Sequence, residues 1–116
     1  MINGGGNIMG FFGSIMNALS GSGQAEIPKN AIFIDVRSQG EVASGAMEGA
    51  INIPLAEISG KAKKLPSEKS KPIVVFCASG MRSGMARKAL LSLGYEQVIN
   101  GGGISSLAMR LGKRII

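Results

Sequence analysis

The stretch Ile73-Val74-Val75-Phe76-Cys77-Ala78-Ser79-Gly80-Met81-Arg82-Ser83 decides how this chain is read. Four apolar residues with no polar break mark a strand buried on both faces, as in a parallel sheet. Beyond the glycine, residues 84–93 read as a helix with Met85, Ala89, Leu90 and Leu93 as its core face and Gly94 at its stop. The only cysteine in 116 residues falls where the strand gives way to the helix. There the amides of a turn and the positive end of a helix dipole converge on the place a sulfur anion would occupy. The residues describe an anion cradle built on a thiol. That geometry alone suits a phosphate as well as a sulfur species.

Working outward, Ala31-Ile32-Phe33-Ile34 is a second continuous apolar run, ending in Asp35-Val36-Arg37. Ser38 with Glu41 forms a capping box, so a short helix starts there and stops near Gly45. Gly49-Ala50-Ile51-Asn52-Ile53-Pro54 gives a short strand closed by proline. Leu55, Ile58, Ala62 and Leu65 are helically spaced, although Gly60 interrupts them, and residues 66–71 are a polar loop. Gln97-Val98-Ile99 is a last strand running into Asn100 and three glycines, and Ile104, Leu107 and Leu111 space a last helix. Strands alternating with helices predict an α/β fold: a small, mostly parallel central sheet flanked by helices. Sites in such sheets lie beyond the carboxyl ends of the strands, where Cys77 falls.

Residues 1–24 carry no charge, and Ile8, Phe11, Phe12, Ile15, Met16 and Leu19 share one helical face. The expectation is an apolar N-terminal helix, packed on the domain or on a second copy as a homodimer, with Ser20-Gly21-Ser22-Gly23 as a flexible joint. A membrane-surface segment or a signal-peptide remnant is the alternative, which leaves export open. A basic leader is missing and the apolar run is too broken to span a bilayer, so the expected compartment is the cytoplasm. Residues 25–116 form the folded domain.

Charge is uneven. From Lys61 onward eleven Lys or Arg face Glu68 and Glu96, a balance of +9, whereas residues 1–60 hold Lys29 and Arg37 against five acids, a balance of −3. A positive second half suits small anionic substrates or an acidic protein partner. Aromatic residues are not interleaved with the basic ones, which argues against nucleic acid. One cysteine excludes an internal disulfide, and the absence of histidine excludes a Cys–His pair and any His-containing metal site. No cofactor or metal is expected, and a thiolate at Cys77 has to be stabilised by electrostatics alone.

Four segments together resemble the rhodanese-like (sulfurtransferase) domain family. These are Ile34-Asp35-Val36-Arg37, the run GAMEGAINIP ending at Pro54, the loop FCASGMRS starting at Phe76, and VINGGGI starting at Val98. They follow in the family's order over about residues 31–112. The resemblance implies that Cys77 is the nucleophile, carrying a sulfane sulfur as a persulfide from a donor such as thiosulfate to cyanide or a thiol. It implies that Ala78, Ser79, Gly80, Met81, Arg82 and Ser83 bind the substrate, with Arg82 supplying a cation and a fork for sulfonate oxygens. Asp35 and Arg37 would support the site as a structural pair. With no second thiol, the persulfide has to be discharged by an external acceptor, small or protein-borne. A non-enzymatic sulfur carrier or docking module is the alternative. Cysteine phosphatases and arsenate-reducing domains of this fold place five residues between Cys and Arg; here there are four, and Ser83 stands where their arginine would be. The family's histidine is replaced by Ala46, and its tryptophan after the glycines is absent, with Leu107 nearby.

Overall fold

The computed structural model describes residues 26–60 and 62–116; the N-terminal helix, its joint and Lys61 lie outside the described residues. Four strands, β1 Ile32–Asp35, β2 Ile51–Asn52, β3 Ile73–Cys77 and β4 Val98–Gly103, form one sheet in the order β2-β1-β3-β4. All three pairings are parallel, with Ile34 opposite Ile51 and Val75, and Ile73 opposite Val98. The helices are α1 Gln39–Ser44, α2 Met81–Ser92 and α3 Ile104–Leu111. The chain is therefore an α/β domain with a parallel sheet between helices.

β3 is central, and every one of its five side chains is buried. Its alternation divides the core in two. Ile73, Val75 and Cys77 join Ile34, Val36, Ala86 and Leu90 on the α2 side. Val74 and Phe76 join Met47, Ile104, Leu107 and Ala108 on the α3 side. A continuous apolar run is what a strand covered on both faces requires. Truncating Phe76, which is fully buried, would cost about 3–5 kcal/mol on this account.

α1 is set by its cap. Ser38 Oγ accepts the Glu41 amide while the Glu41 carboxylate accepts the Ser38 amide, and Gly45 follows the last turn. Between β2 and β3 the helically spaced residues form two short 3₁₀ segments, Leu55–Gly60 and Ala62–Lys64, rather than an α-helix. Ile58 and Leu65 still reach the core. Two 3₁₀ turns deliver them over a short crossover that ends at Pro66.

Two expectations need correction. The buried face of α2 is Ser83, Ala86 and Leu90, whereas Met85 is 61% exposed and Leu93 38%. The first turn of α2 faces a polar site rather than hydrocarbon, so hydrogen bonding, not hydropathy, selects Ser83 as its inward residue. The last strand does not end at Ile99 but continues through Asn100 and the glycines 101–103. At the chain's other edge residues 46–48 pair antiparallel with 114–116, through Ala46 N–H to Ile116 O at 2.8 Å and the reverse bond at 2.7 Å. Among the described residues no helix is long and apolar enough to cross a membrane.

Candidate functional site

β3 delivers Cys77 to the carboxyl edge of the sheet, with the residue fully buried. Ala78 and Ser79 follow as an exposed bend, and Gly80 begins α2 at φ 105°, a left-handed value that favours glycine. That turn aims the Gly80 N–H at the Cys77 Sγ, 2.9 Å away. Ser83, one turn into α2 and fully buried, places its Oγ 3.6 Å from the same sulfur. Burial pushes the Cys77 thiol up; hydrogen bonding from the Ser83 hydroxyl and the amides of Ser83, Gly80 and Ser79 outweighs it, and the thiol lies below its ordinary range. Amide N–H groups and the Ser83 hydroxyl thus surround the sulfur, and a thiolate there would need no neighbouring base.

β4 closes the back of the loop. A Cβ on Gly103 would sit 2.7 Å from the Ala78 carbonyl oxygen, so only glycine lets the strand approach so near. Gly102 takes φ 82°, and its N–H donates to Asn100 Oδ1 at 3.0 Å. The Asn100 carboxamide also donates to Gly80 O at 3.3 Å and lies 2.6 Å from Ser83 Oγ. Asn100 therefore ties β4 to the loop and to α2 together.

Both arginines near the site are held by acids. Arg37 forks onto Asp35, with Nη2 2.7 Å from Oδ2 and Nε 3.0 Å from Oδ1, and Nη2 also donates to Gly45 O at 2.7 Å. Asp35 and Arg37 are both buried. The hydrogen bonds and charge of Asp35 keep the Arg37 guanidinium protonated against burial. Arg82 forks onto Glu41 of α1, Nη1 to Oε1 at 2.7 Å and Nη2 to Oε2 at 3.0 Å. Arg82 and the Ser38 cap together hold the Glu41 carboxyl down at about 2, and Glu41 in turn raises Arg82. Arg82 and the thiol also feel each other's charge.

Of the sequence-selected residues, Cys77, Gly80 and Ser83 meet at the sulfur, with the Ser79 amide contributing. Ala78 contributes its carbonyl to the contact with β4, and the Met81 side chain is 80% exposed on the outer side. Asp35 and Arg37 bind each other and the segment after α1 rather than the sulfur. Two residues were not selected for the site. Glu41 was read only as a cap, because its pairing with Arg82 spans 41 positions. Asn100 had one sequence signal, a polar side chain at the head of a glycine run. Among the described residues no group of His, Cys, Asp and Glu is arranged to hold a metal ion.

Comparison with known proteins bears on the family and the fold. The rhodanese-like domain family matches residues 20–108. The thiosulfate sulfurtransferase PspE of Escherichia coli is 36% identical over 77 residues, 66% of this chain and 74% of that one. The human thiosulfate:glutathione sulfurtransferase is 33% identical over 100 residues, 76% of this chain and 82% of that one. A solved structure described as a rhodanese with anions from E. coli superposes with a TM-score of 0.63 at 35% identity, covering 67% of this chain and 92% of that one. With a parallel sheet that ends in a cysteine loop, and relatives named as sulfurtransferases, this chain belongs to the rhodanese-like domain family.

Proposed function

We propose that the protein is a sulfurtransferase that moves a sulfane sulfur from an anionic donor such as thiosulfate to a thiophilic acceptor through a persulfide on Cys77. The observation that carries this is the Gly80 amide 2.9 Å from a buried sulfur, in a loop with four residues between Cys77 and Arg82. The thiolate attacks the outer sulfur of thiosulfate, a new S–S bond forms, and the donor's S–S bond breaks with its electron pair leaving on sulfite. Cyanide or a thiolate then attacks the terminal sulfur, and Cys77 leaves as the thiolate. The amides and the Ser83 hydroxyl stabilise the anion in each resting state. Arg82 keeps N–H groups beyond its two bonds to Glu41 that can meet a sulfonate.

A phosphate ester fits less well. Ser83, where a longer phosphate cradle would place its arginine, is turned inward and fully buried, so no cation stands there. Incubation with thiosulfate is expected to add about 32 Da, one sulfur, to the intact mass, and Cys77→Ser to remove the gain. An unmodified wild-type mass under excess donor would sink the proposal. An adduct without turnover to cyanide or thiols would move the reading to a sulfur carrier.

A further inference from the structure

Behind Cys77 the Ser83 hydroxyl has two oxygens within reach, Asn100 Oδ1 and Gly80 O, and a single hydrogen to give. Asn100 Nδ2 donates to Gly80 O at 3.3 Å, and Oδ1 accepts the Gly102 N–H at 3.0 Å. Turned the other way, the carboxamide would set an NH₂ against an N–H and an oxygen against a carbonyl, so its orientation is fixed. Oδ1 cannot donate; the 2.6 Å contact with Ser83 is therefore the serine hydroxyl donating to asparagine. Gly80 O, 3.0 Å from the same Oγ, is also only an acceptor. Ser83 has one hydrogen, and the 2.6 Å contact to Asn100 takes it in preference to Gly80 O, which already accepts N–H groups of Gly84 and Asn100. Toward the sulfur at 3.6 Å it offers lone pairs, which suit the thiol S–H and not the thiolate.

We propose that Asn100 is a positioning residue for Cys77, acting through the Ser83 hydroxyl: it keeps the hydroxyl hydrogen off the sulfur while the thiol is protonated and yields it when the thiolate forms. In the thiol state the chain of donors runs from Cys77 S–H to Ser83 Oγ and from Ser83 O–H to Asn100 Oδ1. When the thiol proton leaves to solvent, the hydroxyl rotates and its hydrogen turns onto the sulfur. Asn100 Oδ1 keeps the Gly102 N–H, so no buried acceptor is orphaned in either state. Ser83 is fully buried, which leaves no bulk water to take over either role. Asn100 thus opposes thiolate formation and makes the Ser83 hydroxyl a two-position rotor.

The inference rests on Cys77 being the reacting group of the proposed function, but it does not depend on which donor is used. The charged groups around the sulfur stay in place when Asn100 is changed. They are Arg82 on α2, Glu41 on α1, and Asp35 with Arg37 at the end of β1. The 3₁₀ segment on α2 carries Glu57 and α3 carries Arg110, while β4 has no charged residue.

The experiment is the pH dependence of iodoacetamide alkylation, read as intact mass, where a single cysteine gives a single adduct. Asn100→Leu is expected to lower the midpoint by about one pH unit, roughly tenfold faster alkylation on the acid side. Asn100→Asp retains the acceptor for Ser83 and gives no acceleration. In a Ser83→Ala background, Asn100→Leu changes nothing. No acceleration by Asn100→Leu, equal acceleration by Asn100→Asp, or acceleration that persists without Ser83 would each overturn the proposal. If Asn100→Leu does not fold, by circular dichroism, Asn100→Ala is judged by the same outcomes. Failure of the thiosulfate adduct with this alkylation pattern intact would remove the proposed function and leave the rotor standing.

Discussion

Replacing Gly103 by alanine tests whether β4 sets the shape of the cysteine loop. The added Cβ would stand 2.7 Å from Ala78 O, 3.5 Å from Ala78 C and 3.7 Å from Ser79 Cα. These are backbone atoms, with no flexible side-chain end to turn aside. An ordinary carbon–oxygen contact is about 3.3 Å or longer, so strand and loop have to separate by about 0.6 Å. Ala78 follows Cys77 directly, and two residues on stands the Gly80 amide that binds the sulfur at 2.9 Å. A shift of that size in the loop weakens a bond whose strength falls steeply with distance and misaligns the thiol for attack. Sulfur transfer is expected to drop about tenfold to a hundredfold, since misplacement near 1 Å costs about 10²-fold. Overpacking of this kind costs about 1–3 kcal/mol, which lowers Tm by about 5–15 °C in a domain this small. Turnover and iodoacetamide alkylation are measured well below the variant's Tm, so that unfolding does not enter. A Gly103→Ala protein with wild-type turnover and Tm would refute the claim that the glycine is required by this close approach.

Gly101→Ala is the contrast, because the three atoms nearest its Cβ are Val74 Cγ1 at 2.8 Å, Leu107 Cδ2 at 3.0 Å and Val75 O at 3.3 Å, none of them in the cysteine loop; Tm is expected to fall by a similar amount while the alkylation rate of Cys77 stays close to wild type. Arg37→Leu leaves Asp35 a buried carboxylate without its fork, and urea unfolding is expected to show a loss of about 3–5 kcal/mol. Glu41→Gln tests linkage. The folded pKa of Glu41, about 2, lies below the ordinary value of 4.5 that stands for the unfolded chain, so its stabilisation is fully present above about pH 4.5 and is lost as pH falls toward 2. The Tm gap between wild type and Glu41→Gln should therefore be widest near neutral pH and close on acidification; a gap that is constant with pH contradicts the ion pair.

The sheet was legible because burial on both faces leaves a mark that needs no partner: β1 and β3 are apolar runs, and parallel order follows from the helices between them. The cap of α1 was legible because both of its bonds lie within four residues. What sequence spacing misreads is the packing around the site. The inward face of α2 begins with a serine, and Met85 points outward, because the first turn faces the sulfur while Ala86 and Leu90 face the core. Glycines 101–103 look like a loop and are strand, because Gly101 and Gly103 let β4 come close to its neighbours where a side chain would collide. The Glu41–Arg82 and Ser83–Asn100 contacts join distant segments, and no local pattern announces them.

The electrostatics of the sulfur also differ from what a nearby arginine suggests. The family resemblance gives Arg82 two tasks, a cation for the thiol and a fork for the donor, but its guanidinium is forked onto Glu41, so the pair presents little net charge. The strongest influences on Cys77 are its burial and then the Ser83 hydroxyl and the amides of Ser83, Gly80 and Ser79. The amides are fixed dipoles of the loop and the start of α2, and they and the hydroxyl act at contact distance, whereas Arg82 acts through space and against its partner's charge. On the proposed function Arg82 would bind the donor more than stabilise the thiolate, and the two roles separate in one variant. Arg82→Gln is expected to leave the alkylation midpoint of Cys77 within about 0.5 pH unit while raising the thiosulfate KM about tenfold or more, the pattern of lost ground-state binding. A midpoint raised by a full unit would return the thiolate to the arginine and take it from the loop.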